Sequence, residues 1–207
     1  MTGDRSPLST APLRLVYITD IAHAGDRRRI ETVLENGVTS LWLRDPSATG
    51  RELFDAAVTL RALTTAAGAA LWIGDRVDVA LAVHADGVQL GHRAVPAARV
   101  RLWFRGRLGV SCHDARDLEA AAAAGADHVV ISPVFAVPGK GEALGLDGLD
   151  SLLKCTSLPV VALGFITPAR VTTVRGLGVA GVAVIRALSD AADPAAVARA
   201  LAGMTTA

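Results

Sequence analysis

The chain has 207 residues, enough for one domain with a full core, and its 51% hydrophobic against 20% charged residues exclude a disordered polypeptide. Twenty-one basic and twenty acidic residues leave a net charge of +1, which gives no electrostatic basis for a nucleic-acid or anionic-membrane partner. No apolar stretch is long enough to span a bilayer.

Residues 1–12, MTGDRSPLSTAP, lack the apolar run of a secretory signal and read as a flexible polar lead-in to a single domain over 13–207. A cytoplasmic location is therefore expected. Cys112 and Cys155 have no metal-like spacing and are expected there as free thiols.

Eight short apolar runs follow in chain order: LRLVYITD (13–20), TSLWLRD (39–45), AALWIGD (69–75), DGVQLG (86–91), RLGVSCH (107–113), DHVVISPVF (127–135), LPVVALGF (158–165) and AGVAVIRAL (180–188). Most end in a polar or small residue, as expected for parallel strands covered on both faces. Between them, RELFDAAVTLRALTTAAG (51–68) and DARDLEAAAAAG (114–125) carry apolar residues at helical spacing. Gly37, Gly68, Gly125 and Gly178 mark helix stops, and Thr167-Pro168 and Asp193-Pro194 mark helix starts.

This alternation predicts an α/β fold, a single (β/α)8 TIM barrel. The competing architecture is an open doubly wound sheet, but no Gly-x-Gly-x-x-Gly follows the first strand.

In such barrels the carboxyl ends of the strands and the loops after them form the site. Asp20, Asp45 and Asp75 stand there either as functional carboxylates or as helix caps. Arg44 offers a fork for phosphate or carboxylate, or a salt bridge to a neighbouring acid. His113 ends the fifth strand as a candidate proton carrier, with a cap or packed ring as the plainer reading. His23, His84 and His128 are weaker candidates.

Gly164 permits a close backbone approach to phosphate, or only a tight turn. Arg186 adds a charge there or pairs with Asp190. The loop AVPGKGEALGL (136–146), with Lys140, suits either a lid over an anion or a solvated loop.

The stretches WIGDRVDVALAVHADGVQLGHRAVP (72–96), GVSCHDARDLEAAAAAGADHVVISPVFAVPGKG (109–141), LPVVALGFITPARV (158–171) and AGVAVIRAL (180–188), with LWLRD, resemble the thiamine monophosphate synthase/TenI family. The resemblance implies a barrel of thiamine biosynthesis that binds a thiazole phosphate. Two activities occur in that family. One is a magnesium-dependent synthase joining a pyrimidine diphosphate to thiazole phosphate; the other is a metal-free tautomerase of a thiazole carboxylate phosphate.

The synthase pattern has Gln-x-Arg-x-Lys at strand two, Asn-Asp at strand three and an acid shortly after the Gly ending strand four. Here those places read Trp42-Leu43-Arg44-Asp45-Pro46, Gly74-Asp75 and Gly91-His92-Arg93-Ala94. Arg44 and Asp75 are kept, while the Gln, Lys, Asn and second acid are replaced. One carboxylate beside Arg93 is a poor holder for a magnesium ion on a diphosphate.

The resemblance therefore implies a cofactor-free thiazole phosphate tautomerase with His113 as the catalytic residue. Arg44, Asp75, Ser132, Lys140, Gly164, Ala183, Val184 and Arg186 are expected to bind the small phosphorylated thiazole, with no metal site. At strands seven and eight the family's Gly-Gly is Gly164-Phe165 and its serine is Arg186. The alternatives are the synthase, with magnesium, and a non-catalytic phosphate-ligand binder. The oligomeric state is left open between a monomer and a homo-oligomer.

Overall fold

A computed structural model of the protein describes residues 13–137, 139 and 141–204. Residues 1–12 of the expected lead-in lie outside that range, and so does Lys140. The strands are β1 (Leu15–Thr19), β2 (Ser40–Leu43), β3 (Ala70–Gly74), β4 (Gly87–Leu90), β5 (Arg107–Cys112), β6 (His128–Ile131), β7 (Val160–Leu163) and β8 (Gly181–Val184). Each pairs in parallel with the next, and β8 returns to β1 through Val182 and Leu15, so the sheet closes. The expected (β/α)8 barrel is the observed fold, and the open-sheet alternative is excluded.

The helices are α1 (Ile21–Ala24), α2 (Arg27–Glu35), α3 (Gly50–Ala67), α4 (Val77–Ala82), α5 (Ala97–Val100), α6 (Ala115–Ala123), α7 (Gly145–Leu153), α8 (Pro168–Gly176), α9 (Arg186–Ser189) and α10 (Pro194–Ala202). None of the described helices is long and apolar enough to cross a membrane. Gly68 takes the left-handed conformation the stop signal required, and the Thr49–Glu52 capping box fixes the other end of α3. Thr167-Pro168 and Asp193-Pro194 start α8 and α10 as expected.

Two expected strands run too far. The stretch 127–135 leaves the sheet after Ile131, at a cis Ser132-Pro133 bond, because Pro133 has no N–H to continue the ladder. The stretch 180–188 ends at Val184, and Arg186 opens α9 instead.

Side chains alternate along each strand. Leu15, Tyr17, Leu41, Leu43, Leu71 and Ile73 pack outward under the helices, whereas Val16, Ile18, Trp42, Trp72, Val130, Val161 and Ala183 form a separate inner cluster. The interior admits two indoles because neighbouring strands carry glycine opposite them. A Cβ at Gly87 would lie 2.3 Å from the Trp72 ring, and one at Gly74 would lie 2.9 Å from Trp42 Nε1. Gly109 makes the same room for Gln89 and His128. What remains is a cavity of about 10 Å3, no more than a single water needs.

At the amino-terminal end of the barrel, two aspartates pin the strands in register. Asp86 Oδ2 accepts from Leu71 N (2.8 Å) and Arg61 Nη1 (2.7 Å). Asp127 Oδ2 accepts from Leu108 N (2.7 Å) and Arg101 Nη2 (2.7 Å).

His128 is 3% exposed and meets the Trp72 ring edge-on at 4.8 Å. Burial lowers its pKa from 6.5 to about 4, with the Asp127 charge opposing that fall and Arg107 adding to it. Between these values the unfolded chain binds a proton that the folded chain does not, so stability falls as pH falls through the window. The expected loss between pH 7 and pH 5 is about 2 kcal/mol. Urea unfolding of His128→Gln should show a shallower pH slope than the parent, and an equal slope would remove His128 as the cause.

Candidate active site

Arg44 follows β2, its amide donating to Thr19 O at 2.8 Å, so its stem rises at the mouth beside β1 and β3. Its Cγ would meet a Cβ at Gly74 at 3.0 Å, on the same spot that the Trp42 indole crowds. Trp42 is 5% exposed, and its Nε1 has no hydrogen-bond partner. Trp42 and Arg44 thus fill the space that a side chain at position 74 would need. The large residue on β2 and the glycine on β3 are one packing unit.

Asp75 caps no helix; α4 starts at Val77, and the residue before it, Arg76, stands at the N-cap without a side-chain cap. Asp75 takes a left-handed backbone (φ 59°), and its Oδ1 accepts from Gly91 N at 2.7 Å, tying the tips of β3 and β4 together. Asp20 does cap α1, as the plainer reading expects, and also meets His23 Nδ1 at 2.7 Å. Burial raises the Asp20 carboxyl, but the hydrogen bonds and charge of His23 outweigh that and hold it below the usual carboxylate range. Asp45 Oδ1 accepts from Ser47 N at 3.0 Å and from Ser47 Oγ at 2.6 Å.

His113 sits at the tip of β5 with its ring exposed. Its amide donates to Asp117 Oδ2 at 2.8 Å, while Asp117 N donates to Asp114 Oδ1 at 2.9 Å. These reciprocal bonds fix the start of α6 and the residue just before it. The ring itself meets Ser132 O through Nδ1 at 2.5 Å. A carbonyl only accepts, so Nδ1 carries the hydrogen, and in the neutral ring Nε2 keeps a free lone pair. Ser132 therefore acts through its backbone, setting the tautomer of His113. The adjacent Cys112 is fully buried, and burial, with Asp117 and Asp114 adding, pushes its thiol up to about 12; it is no nucleophile at neutral pH.

On the far side of the mouth, Gly164 (φ 127°) follows β7. A Cβ there would lie 2.6 Å from Val134 N and 2.9 Å from Pro133 Cα, so only glycine lets the two loops touch. Ala183 and Val184 lie within β8, paired to Leu163 and Tyr17, so it is the end of that strand, rather than their side chains, that reaches the mouth. Arg186 is exposed, with its guanidinium over the Phe165 ring at 5.7 Å. It forms no ion pair with Asp190, whose carboxylate accepts from Ser189 Oγ instead.

Barrel closure brings Arg44, Asp75, His113, Ser132, Gly164 and Arg186 to one end of the molecule. Arg170 and Phe135 carry no signal in the sequence. Trp42 stands out there as the replacement of the synthase pattern's Gln, and the structure adds its packing against Gly74.

The donor set does not fit the magnesium ion of the synthase pattern. Among the described residues no three His, Cys, Asp or Glu side chains gather. Asp75 already spends an oxygen on Gly91 N, and the second acid's place is Ala94.

The Thiamine monophosphate synthase family model matches residues 15–188. A Geobacter sulfurreducens protein, provisionally named a thiamine-phosphate synthase, is 44% identical over 195 residues, covering 90% of this chain and 92% of its own. The Chloroflexus aurantiacus thiamine-phosphate synthase is 38% identical over 195 residues, covering 91% and 90%. The structure of a thiamine phosphate pyrophosphorylase from Pyrococcus furiosus superposes with a TM-score of 0.87 at 34% identity, covering 94% and 96%. By sequence and by fold, this chain belongs to the thiamine monophosphate synthase family.

Proposed function

We propose that the barrel acts on a thiazole phosphate in thiamine biosynthesis, and that its reaction is the metal-free proton shift of a thiazole phosphate tautomerase. The carrying observation is the His113–Ser132 contact, which leaves Nε2 as the ring's free acceptor at the mouth. In this reading Gly164 and Arg186 hold the phosphate, and Arg44 faces the opposite end of the ligand. Nε2 removes a proton from the thiazole ring system and returns it at another position of the same molecule. The product is an isomer, and no co-reactant is consumed.

A second support is spatial. The Gln and Asn of the synthase pattern are here Trp42 and Gly74, and the indole occupies the room between them. The two side chains that the synthase pattern places at β2 and β3 are therefore absent.

Thiamine-phosphate synthase is the second reading, favoured by the names carried by relatives such as that of Chloroflexus aurantiacus. It requires condensation at a site where Asp75 is the one acid kept from the synthase pattern, with Trp42 in place of the pattern's Gln and Gly74 in place of its Asn. A non-catalytic phosphate-ligand binder is the third.

The deciding assay offers the purified protein the thiazole carboxylate phosphate tautomer, and separately thiazole phosphate with pyrimidine diphosphate, each with and without Mg2+. Aromatisation without metal is expected, with His113→Asn lowering kcat by about 100-fold or more. Metal-dependent condensation by the parent would establish the synthase reading instead, and binding without either turnover the binder.

Interdigitation of Trp42 and Gly74 makes a separate stability prediction. Gly74→Asn alone should destabilise the barrel by about 1–3 kcal/mol, since the new side chain meets the indole and the Arg44 stem. Trp42→Gln/Gly74→Asn should lose less stability in thermal melts than the two single losses added together. Additive effects of the two changes would show that the positions are not coupled.

A further inference from the structure

Phe165 is an unusual residue for its place. It has a left-handed backbone (φ 49°), a conformation costly for an aromatic side chain, yet its ring is 47% exposed at the barrel mouth. Little burial offsets that cost. The ring instead serves as a surface for two cations: Arg170 Cζ lies 5.1 Å and Arg186 Cζ 5.7 Å from its centroid.

Arg170 does more than stack. Its Nη1 donates to Phe165 O at 3.0 Å, gripping the carbonyl of the left-handed residue, and its guanidinium also lies 4.5 Å from the Phe135 centroid. Phe135 belongs to the loop after β6, and its amide donates to Gly164 O at 3.2 Å. Leu144 N and Gly145 N donate back to Pro133 O (3.0 Å) and Val134 O (2.9 Å), drawing both ends of that loop together beside Gly164. One side chain of α8 therefore joins the loop after β6 to the turn after β7.

Arg186 stands at the end of this series. Among the described residues its guanidinium has neither an ion pair nor a hydrogen bond, only the Phe165 ring beneath it. With no acceptor taken among the described residues, the N–H groups of Arg186 remain available to grip an oxyanion in two places while Cζ stays within cation–π range of the ring.

We propose that Arg170 is a positioning residue for anion recognition: by holding Phe165 in its left-handed turn, it presents the ring on which Arg186 is set to receive the phosphate of the substrate. The inference rests on the phosphate placement given under Proposed function and deepens it. Oxyanion recognition in this chain then depends on a guanidinium held over an aromatic ring as well as on main-chain amides. The ligand class is a phosphate monoester, and an alcohol of the same skeleton gains nothing from the arrangement.

The test uses the full-length protein with inorganic phosphate and thiazole phosphate as probes, binding read by calorimetry and folding by thermal melts. Arg170→Gln and Phe165→Gly should each weaken phosphate binding about 10-fold. Phe165→Tyr, which keeps a ring, should bind like the parent. Phe165→Gly relieves the left-handed backbone and so should stay folded, which separates lost recognition from lost structure. With turnover as readout, Arg170→Gln should raise KM for the phosphorylated substrate and leave kcat within about twofold.

Equal phosphate affinity in the parent, Arg170→Gln and Phe165→Gly would overturn the positioning role while leaving the phosphate site in place. A parent that binds neither probe would overturn both. Should Arg170→Gln fail to fold, the comparison of Phe165→Gly with Phe165→Tyr decides the question alone.

Discussion

A closed ring of eight short strands encloses a fixed and narrow volume, and everything else in this barrel follows from how that volume is filled. Three large side chains, Trp42, Trp72 and His128, enter it only because Gly74, Gly87 and Gly109 stand on neighbouring strands. The exchange leaves almost no void. The filled interior is a floor, and a ligand of any size must sit above it, on the strand tips. The same packing that stabilises the barrel thus fixes the depth of its site.

At the tips, main-chain groups do much of the work of placing side chains. The Ser132 carbonyl selects the tautomer of His113, the Gly91 amide holds Asp75, and the Phe165 carbonyl holds Arg170. The first two bonds cross from one βα unit to the next, whereas the third is local, between the turn after β7 and the helix that follows it. Cys112, one residue from His113, illustrates the contrast between neighbours: pointing into packed surroundings, its thiol stays protonated, while the next side chain emerges into solvent. Alternation along one strand separates an inert group from a reactive one.

The repeating apolar runs made the eight strands legible in the sequence, and Gly68, Gly125 and the Thr167-Pro168 pair marked helix ends, because these are local signals read within one turn of chain. The strand tips carrying Arg44, Asp75 and His113 were legible for the same reason. The partners of those residues were not. Gly74 faces a residue 32 positions earlier in chain order, and Phe135 meets Arg170 from another βα unit, so no periodicity announces either contact. The overlong sixth strand shows the complementary error: Val134 and Phe135 are apolar enough to continue it, but Pro133 cannot donate to the ladder.

Family membership and reaction are separable here on physical grounds. The Geobacter sulfurreducens relative matches over 90% of this chain, and the Pyrococcus furiosus structure shares the barrel over 94% of it. Closure alone delivers an anion-accepting mouth, since it gathers strand ends, glycine turns and helix starts on one face whatever side chains they carry. The reaction depends on a handful of positions at and under that mouth, where the chain departs from the synthase pattern at Trp42, Gly74 and Ala94 and from the pattern of the whole family at Phe165 and Arg186. The departures are mutually consistent. An indole and a glycine fit each other at β2 and β3, and a ring and a guanidinium fit each other at β7 and β8. Paired replacements of this kind keep the interior filled while changing which side chains the strand ends present, so packing and chemistry can vary together without loss of the barrel.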